Sequence, residues 1–539
     1  MSSPISKNSA DVSLSVDEDE LQLEQLGYKQ QLHRTWNFFE NFAASFVSVN
    51  FMVAIRTTFF LGLLAGGPQA VWSTYLITMI FMTLTALVIA EVCSALPLSG
   101  SIYIWAAASA GPKYARFFGF VVACWAISAW IALVAVTNQS TTNYLVSQLS
   151  VWEVDFPGGR SNDNIKWRTF VWAISQGFLI VSVAMNYLPP KAYSGVFRVA
   201  TVLVFVDFLL CVIWLPIGVH NTYGFRSAKD VFTMTYNGTG APPAWNWILS
   251  FFFSAPSFIG FDASGHVAEE TKRASIIAGR GIISCVVTTA VFGFATVILF
   301  LFCMPSLDVF FALDAPQPFV QLYALALGKR PSIFMTAVAV ISNTLSSTVL
   351  IVATSRLIFA VARDGVLPLS GWIGQVNRDK QPRNAVTVVF VFSAALLCTI
   401  LPSQVAFTSL LSSSGVAIIS AYGLIALLRL AMTPHAFKTS HLHLGRLALP
   451  IYFVTVVWNG LIFAVLMSPF YFPANAQNFN FACVIFSFVT ILAVAAWWFT
   501  PAEKWLRQEQ IEHVFYSADG HPDATVSVAV DPSNEDSEK

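Results

Sequence analysis

With 56% hydrophobic and 14% aromatic residues, 11% charged residues, mean hydropathy +0.66 and a formal net charge of +0, this 539-residue chain lies far from a soluble domain, where about a quarter of residues are charged. The composition excludes a soluble globular protein and defines one that crosses a bilayer many times; the balanced charge excludes nucleic acid as a partner. Its seven cysteines (Cys93, Cys124, Cys211, Cys285, Cys303, Cys398 and Cys483) lie in or beside apolar runs. They read as small buried hydrophobes, not as a disulfide or metal framework.

Residues 1–35 are polar and acidic, with Asp11 and the run Asp17-Glu18-Asp19-Glu20. No basic head precedes an apolar core, so this is a tail and not a signal peptide. Apolar windows then recur at about 20 residues, the length that crosses a ~30 Å hydrocarbon layer. They fall at 41–65, 71–94, 117–140, 168–188, 196–219, 246–268, 281–304, 332–360, 385–402, 406–429, 448–469 and 479–499. These predict an all-α polytopic membrane protein with twelve transmembrane helices, spans 1 to 12; only Leu401 to Val405 divides spans 9 and 10. The expected layout is a tail over 1–38, a ten-helix core over 39–430, two further helices over 431–500 and a second polar tail over 501–539.

Basic residues set the orientation. One set of alternate loops and tails holds Lys29, Arg34, Lys113, Arg116, Lys191, Lys272, Arg273, Arg280, Arg363, Arg378, Lys380, Arg383, Lys438, Arg446, Lys504 and Arg507; the other holds Arg160, Lys166, Arg168, Arg226, Lys229, Lys329 and Arg330. The excess places both termini in the cytoplasm. Asn138-Gln139-Ser140 and Asn237-Gly238-Thr239 read as glycosylation sequons on the outer side, the second better placed in a long loop.

Span 6 breaks its own pattern. A run of Phe251 to Phe253 meets Pro256, Ser257 and Gly260, then Asp262, Ser264, Gly265 and His266. Proline removes an amide donor and glycine is a poor helix former. Two half-helices of about 12 residues are expected, at ~1.5 Å per residue. Irregular backbone at that depth persists only inside protein or along a wet cavity, and so points to a transporter's substrate site. Asp262 can cap the second half-helix, or serve as an anionic partner for an ammonium group or as a proton carrier. Glu269 and Arg273 stand four apart, as a surface ion pair would. His266, one turn after Asp262, is a satisfied polar residue or a relay. Arg56, Glu91, Asp207 and Arg356 lie deeper than loops explain, and a charge at bilayer depth needs a partner or a cavity. Arg56 can hold a substrate carboxylate or pair with Asp207. Glu91 and Arg356, near span ends, read as gate or anchor residues.

Three blocks resemble the amino acid–polyamine–organocation superfamily. Residues Ala90-Glu91 and Ser94 to Trp105 resemble its loop after span 2, and Gly260 to Glu270 look like span 6 of its fungal amino acid/choline branch. Ser355-Arg356 with Ala362 to Pro368 resemble the end of span 8. The resemblance implies a leucine-transporter-like, five-plus-five inverted repeat, about 39–219 and 246–430, with spans 1 and 6 both broken around the substrate. Relatives have glycine in span 1 where this chain reads Val53-Ala54-Ile55-Arg56; the break is then tighter, or displaced toward Ser48-Val49-Asn50. The substrate-binding candidates are Ser48, Asn50, Arg56, Ser257, Phe258, Gly260, Phe261 and Asp262, with Phe258 or Phe261 as an aromatic gate. Ser257 and Gly260 also have a plain reading in helix packing. The coupling or gating candidates are Glu91, Asp207, His266, Glu269 and Arg356.

Sodium-coupled relatives use span 8 hydroxyls, here Ser342 to Thr348, which also stabilise helix crossings without an ion. Some proton-coupled relatives have a lysine inside span 5, where this chain has none. The expected function is import of an amino acid or related zwitterion with protons across the plasma membrane, the vacuolar membrane being the alternative. Choline, thiamine or another organic cation is the alternative substrate, and a nutrient sensor the alternative class. No cofactor or metal is expected, and no enzyme motif such as H-E-x-x-H appears. The tails are candidate contacts for the ubiquitin and trafficking machinery, through Lys7 and Lys29.

Overall fold

The computed structural model describes residues 19–21, 23–402, 404–475, 478–500, 505 and 514–515, with only backbone at 190, 191, 404–408 and 411. Lys7, Asp11, Asp17, Glu18, Lys504 and Arg507 lie outside the described residues. Among those described, the structure is all-helical, with two isolated bridges and no strand. Among the described residues eleven helices are long and apolar enough to cross a membrane: Phe38–Leu64, Gly67–Ala95, Gly111–Val151, Ile165–Met185, Ala192–Asn221, Ala274–Cys303, Lys329–Arg363, Arg383–Ile400, Ser412–Ala431, Gly445–Met467 and Ala482–Phe499. They realise every predicted window except span 6.

Span 6 is not two equal halves. Its first part runs through Pro243–Leu249 and Phe251–Ser254 into a 3₁₀ turn at Ala255–Phe258. Its second is only Ala263–His266 followed by a 3₁₀ turn at Ala268–Glu270. The chain opens between them, with Ile259 extended and Gly260 at φ +99°, a conformation that favours glycine. The small and polar residues after Gly260 cannot sustain a helix without tertiary support.

Span 3 is much longer than its window, at 41 residues, and at ~1.5 Å per residue it projects beyond the bilayer. Asn138 consequently sits in mid-helix, fully buried and donating to Val134 O and Ser347 Oγ, so the first sequon is inaccessible. Asn237 is exposed in its loop. Burial ranks the helices: the most apolar stretch of Lys329–Arg363 is 94% buried and that of Ala482–Phe499 only 17%. Span 8 is therefore the central post and span 12 a lipid-facing one, consistent with exposed Phe488, Ile491 and Leu492.

Seven carboxylates are buried among the described residues: Asp19, Glu40, Glu91, Asp207, Asp262, Glu269 and Glu270. Arginines answer six of them, in the pairs Arg34–Asp19, Arg198–Glu40, Arg429–Glu91, Arg56–Asp207, Arg363–Glu269 and Arg356–Glu270. Arg56 is 1% exposed and grips both oxygens of Asp207 while donating to Tyr323 Oη at 2.8 Å and Met52 O at 3.0 Å. Breaking a buried pair from one side leaves an uncompensated charge, at about 3–5 kcal/mol. Asp207→Leu should therefore markedly lower the thermal stability of the detergent-solubilised protein, and the double change Arg56→Met with Asp207→Leu should recover most of the loss; equal losses for single and double variants would refute this.

Candidate functional site

Spans 1 and 6 break at neighbouring places. In span 1 the break is one residue, Asn50, at φ 35° and ψ 70° between Phe38–Val49 and Phe51–Leu64. Asparagine tolerates this left-handed conformation better than other non-glycine residues. Its side chain secures the kink, accepting from Val53 N at 3.4 Å and donating to Ser346 Oγ of span 8 at 2.8 Å. The first half of span 1 is zipped to the second part of span 6. Ser45 Oγ donates to Phe261 O at 2.5 Å and accepts from Ser264 N at 2.8 Å, while Asn41 Nδ2 donates to Ser264 O and Thr271 Oγ1, both at 3.0 Å.

Beside the two breaks lies a cavity of about 160 Å³. Span 1 lines it with Ser48, Asn50, Ala54, Thr57 and Thr58, span 6 with Phe252, Pro256 and Ile259, span 3 with Thr137 and Ser140, span 8 with Asn343 and Ser346, and span 10 with Ser412, Ser414 and Gly415. None of its lining residues is ionisable. Thr57, Thr58, Leu61, Phe252 and Ser412 are shared with a vestibule of about 700 Å³, walled by Arg168 at the start of span 4 and by Arg160, Asp314, Phe470 and Asn480 from the connections after spans 3, 7 and 11. The cavity thus communicates with the face opposite the amino-terminal segment.

Toward the other face the molecule is shut. Asp262 is fully buried and accepts from Tyr422 Oη at 2.6 Å; its second oxygen lies 3.2 Å from His266 Nε2, out of line for a hydrogen bond. His266 Nδ1 meets Ser101 Oγ at 2.6 Å, and Trp130 packs edge-on against the ring. Phe261 stacks on Tyr422 with centroids 4.6 Å apart. Beyond this layer Arg363 holds Glu269 with two bonds of 2.9 and 3.0 Å, and Arg356 joins Glu270 at 2.6 Å and Gln381 at 2.6 Å. The segment before span 1 closes over them: Thr35 N and Trp36 N donate to Glu270 O, and Tyr28 and Tyr103 both donate to Asp364. Burial raises the Asp364 carboxyl above its ordinary value, against the pull of Arg363 and the two hydroxyls.

Of the eight substrate-binding candidates, Ser48 and Asn50 line the cavity. Ser257, Phe258, Gly260, Phe261 and Asp262 lie beside or below it, and their neighbours Pro256 and Ile259 take the lining positions. Arg56 faces Asp207, Tyr323 and Tyr144 instead, so it gives no reason to exclude a cationic solute. Asp262 makes no capping bond, because both its oxygens turn toward Tyr422 and His266. The amide-rich end expected of the second half-helix is also taken, with Ser264 N on Ser45 and Gly265 N on Asp262 O. Glu269 does not pair with Arg273: a 3₁₀ turn, extended Thr271 and left-handed Arg273 abolish the four-residue helical spacing. Glu91 anchors span 2, accepting from Tyr452 Oη and Leu444 N beside Arg429, and Arg356 anchors span 8. Sequence reasoning missed Thr57, Thr58, Thr137, Ser140 and Ser412; hydroxyls within apolar helices were their only signal.

A bundle of membrane-crossing helices with a solvent-connected cavity at two helix breaks, closed on one side, is the architecture of a membrane carrier. The profile of the amino acid permease family matches residues 39–489. The chain belongs to that family. It is 41% identical to thiamine transporter thi9 of Schizosaccharomyces pombe, covering 92% of this chain and 88% of that one, and 29% identical to amino-acid permease BAT1 of Arabidopsis thaliana, covering 91% and 96%. The fold resembles the crystal structure of a manganese transporter of Eremococcus coleocola, with TM-score 0.51 at 10% identity over 88% of this chain and 95% of that one. The one-sided closure is tested by thiol labelling of the detergent-solubilised protein with Cys398, the only exposed cysteine among those described, changed to Ser. Thr57→Cys should react readily with a membrane-impermeant reagent and Ser264→Cys should not; comparable labelling of both would refute the closure.

Proposed function

We propose that this permease imports an amino acid or related small zwitterion with protons, by alternating access around the cavity between spans 1 and 6. The carrying observation is the cavity's own chemistry. A space of about 160 Å³ without an ionisable lining residue is smaller than the roughly 300–1,000 Å³ pockets of drug-sized ligands. A zwitterion enters it with no net charge to desolvate, and the hydroxyl and amide groups of Ser48, Asn50, Asn343 and Ser346 serve both of its ends. The two repeats, 39–219 and 246–430, supply the parts that rock against each other.

A second reading is favoured by one specific observation, the 41% identity to a thiamine transporter. A thiamine-sized cation would extend into the vestibule, with Asp262 supplying the counter-charge. We place the protein in the plasma membrane, the vacuolar membrane being the alternative, with the face bearing Lys29, Arg34, Lys113 and Arg116 in the cytoplasm. Lys29 is exposed there and open to ubiquitination. Uptake of labelled γ-aminobutyrate, lysine, glutamate, choline and thiamine by cells expressing the chain, at acidic and neutral external pH, separates the readings. Amino acid uptake that rises in acid and collapses with a protonophore is expected. Thiamine uptake alone would transfer the substrate to the second reading, and uptake indifferent to pH and protonophore would remove proton coupling.

A further inference from the structure

Among the described residues Asp262 is the one carboxylate with a buried side chain and no arginine within 4.0 Å; even Asp364, its side chain 3% exposed, has Arg363 Nε at 4.0 Å. Six of the seven buried carboxylates among the described residues have an arginine within 3.6 Å. A guanidinium stays charged at any pH a cell reaches, so a carboxylate held by one resists protonation. Asp207 is held by Arg56 at both oxygens. Asp262 is met by Tyr422 Oη of span 10 at 2.6 Å and by His266 Nε2 at 3.2 Å, both groups that can themselves give or take a proton, with the buried thiols of Cys93 in span 2 and Cys285 in span 7 in its neighbourhood.

We infer that Asp262 and His266 form the proton-binding site of the carrier, in a chain Tyr422–Asp262–His266–Ser101 beneath the cavity floor; this rests on the proton-coupled reading above. Ser101 Oγ meets Nδ1 at 2.6 Å, and Nε2 lies 3.2 Å from Asp262 Oδ2. Nε2 and Oδ2 are buried and neither has a formed hydrogen bond, so either can take up a proton without giving up an existing partner. Loaded, the pair holds that proton and is neutral overall, whether as carboxylic acid with imidazole or as carboxylate with imidazolium. Unloaded, it is a carboxylate with a neutral ring and carries one negative charge in a dry layer, which is costly. The proton arrives from water on the vestibule side and is released to water on the other side; only O–H and N–H bonds are made and broken. Asp262 follows three residues after Ile259, which lines the cavity, across the Gly260 hinge. A solute that moves Ile259 therefore moves the carboxylate.

The test uses the full chain in proteoliposomes, with labelled γ-aminobutyrate and thiamine as probes, recording solute entry and internal pH together. Wild-type protein should acidify the lumen as solute enters; Asp262→Asn should abolish the acidification and flatten the pH profile of any residual uptake, and His266→Gln should shift that profile. Solute entry without proton movement in the wild type defeats the coupling reading itself. Proton movement that survives in Asp262→Asn defeats this assignment alone and leaves the coupling reading standing. Infrared difference spectra between acidic and neutral pH need no substrate. The protonated-carboxyl band of the wild type should vanish in Asp262→Asn and move in His266→Gln, and an unchanged band in both variants overturns the proposal. Should Asp262→Asn fail to fold, the band of His266→Gln decides alone.

Discussion

Within a bilayer no water answers an open peptide group, and each one left bare costs several kcal/mol. Span 6 gives up its helix between Ile259 and Phe261 and can do so only because span 1 supplies the missing partners. Ser45 accepts from one amide and donates to one carbonyl, while Asn41 donates to a second carbonyl and to Thr271. Gly281 of span 7 permits the approach, since a Cβ there would lie 2.2 Å from Asn41 Oδ1. Loss of this zipper would leave the interrupted segment unsatisfied, and the cavity, its floor and the layer below are all placed by it.

The arginine–carboxylate pairs divide by what surrounds them. Arg56–Asp207 is sealed by Tyr144, Tyr323 and Cys211 between spans 1, 3 and 5, and Arg429–Glu91 binds span 2 to spans 10 and 11. Both act as permanent fastenings, because in a dry medium separating the charges is prohibitive. Arg363–Glu269 and Arg356–Glu270 lie instead under the amino-terminal segment, at the closed face. Water admitted there would raise the local dielectric and lower the cost of parting the charges. The same chemistry therefore sits in two settings, one sealed between packed helices and one beneath the segment that covers the closed face.

Much of the architecture was legible because hydrophobic length is a one-dimensional property. Eleven windows became membrane-length helices, and Pro256, Ser257 and Gly260 marked the twelfth as broken. The site was less legible. Residue identity shows that Asp262 is polar and deep but not that Tyr422, 160 residues away, meets it. The missing glycine of span 1 pointed toward Asn50, where the kink is, since asparagine substitutes for glycine at a left-handed residue. Arg56 stayed open between two readings for a physical reason: an arginine at depth must have a counter-charge, and sequence cannot say whether that is a protein carboxylate, as here Asp207, or a substrate's. The Glu269–Arg273 spacing failed because it presumed a helix that Thr271 and Arg273 do not form.

The asymmetry of span 6 bears on how a carrier built this way transmits binding. Its long arm, Pro243 to Phe258, remains nearly helical, whereas the eight residues from Ala263 to Glu270 are short and zipped to span 1. The short arm and the first half of span 1 are thus held to each other, and each passes into the rest of its own span at a joint, Asn50 in span 1 and Ile259–Gly260 in span 6, while the short arm runs on into span 7 through Thr271 to Arg273. Asn50 itself and Ile259, the neighbour of Gly260, line the cavity. On the proposed reading, a solute seated there would meet Asn50 and Ile259 together, so its contacts would bear on the backbone angles at both breaks. Differential affinity for the two joint geometries is all that population shift requires, and no longer chain of residues need carry the signal.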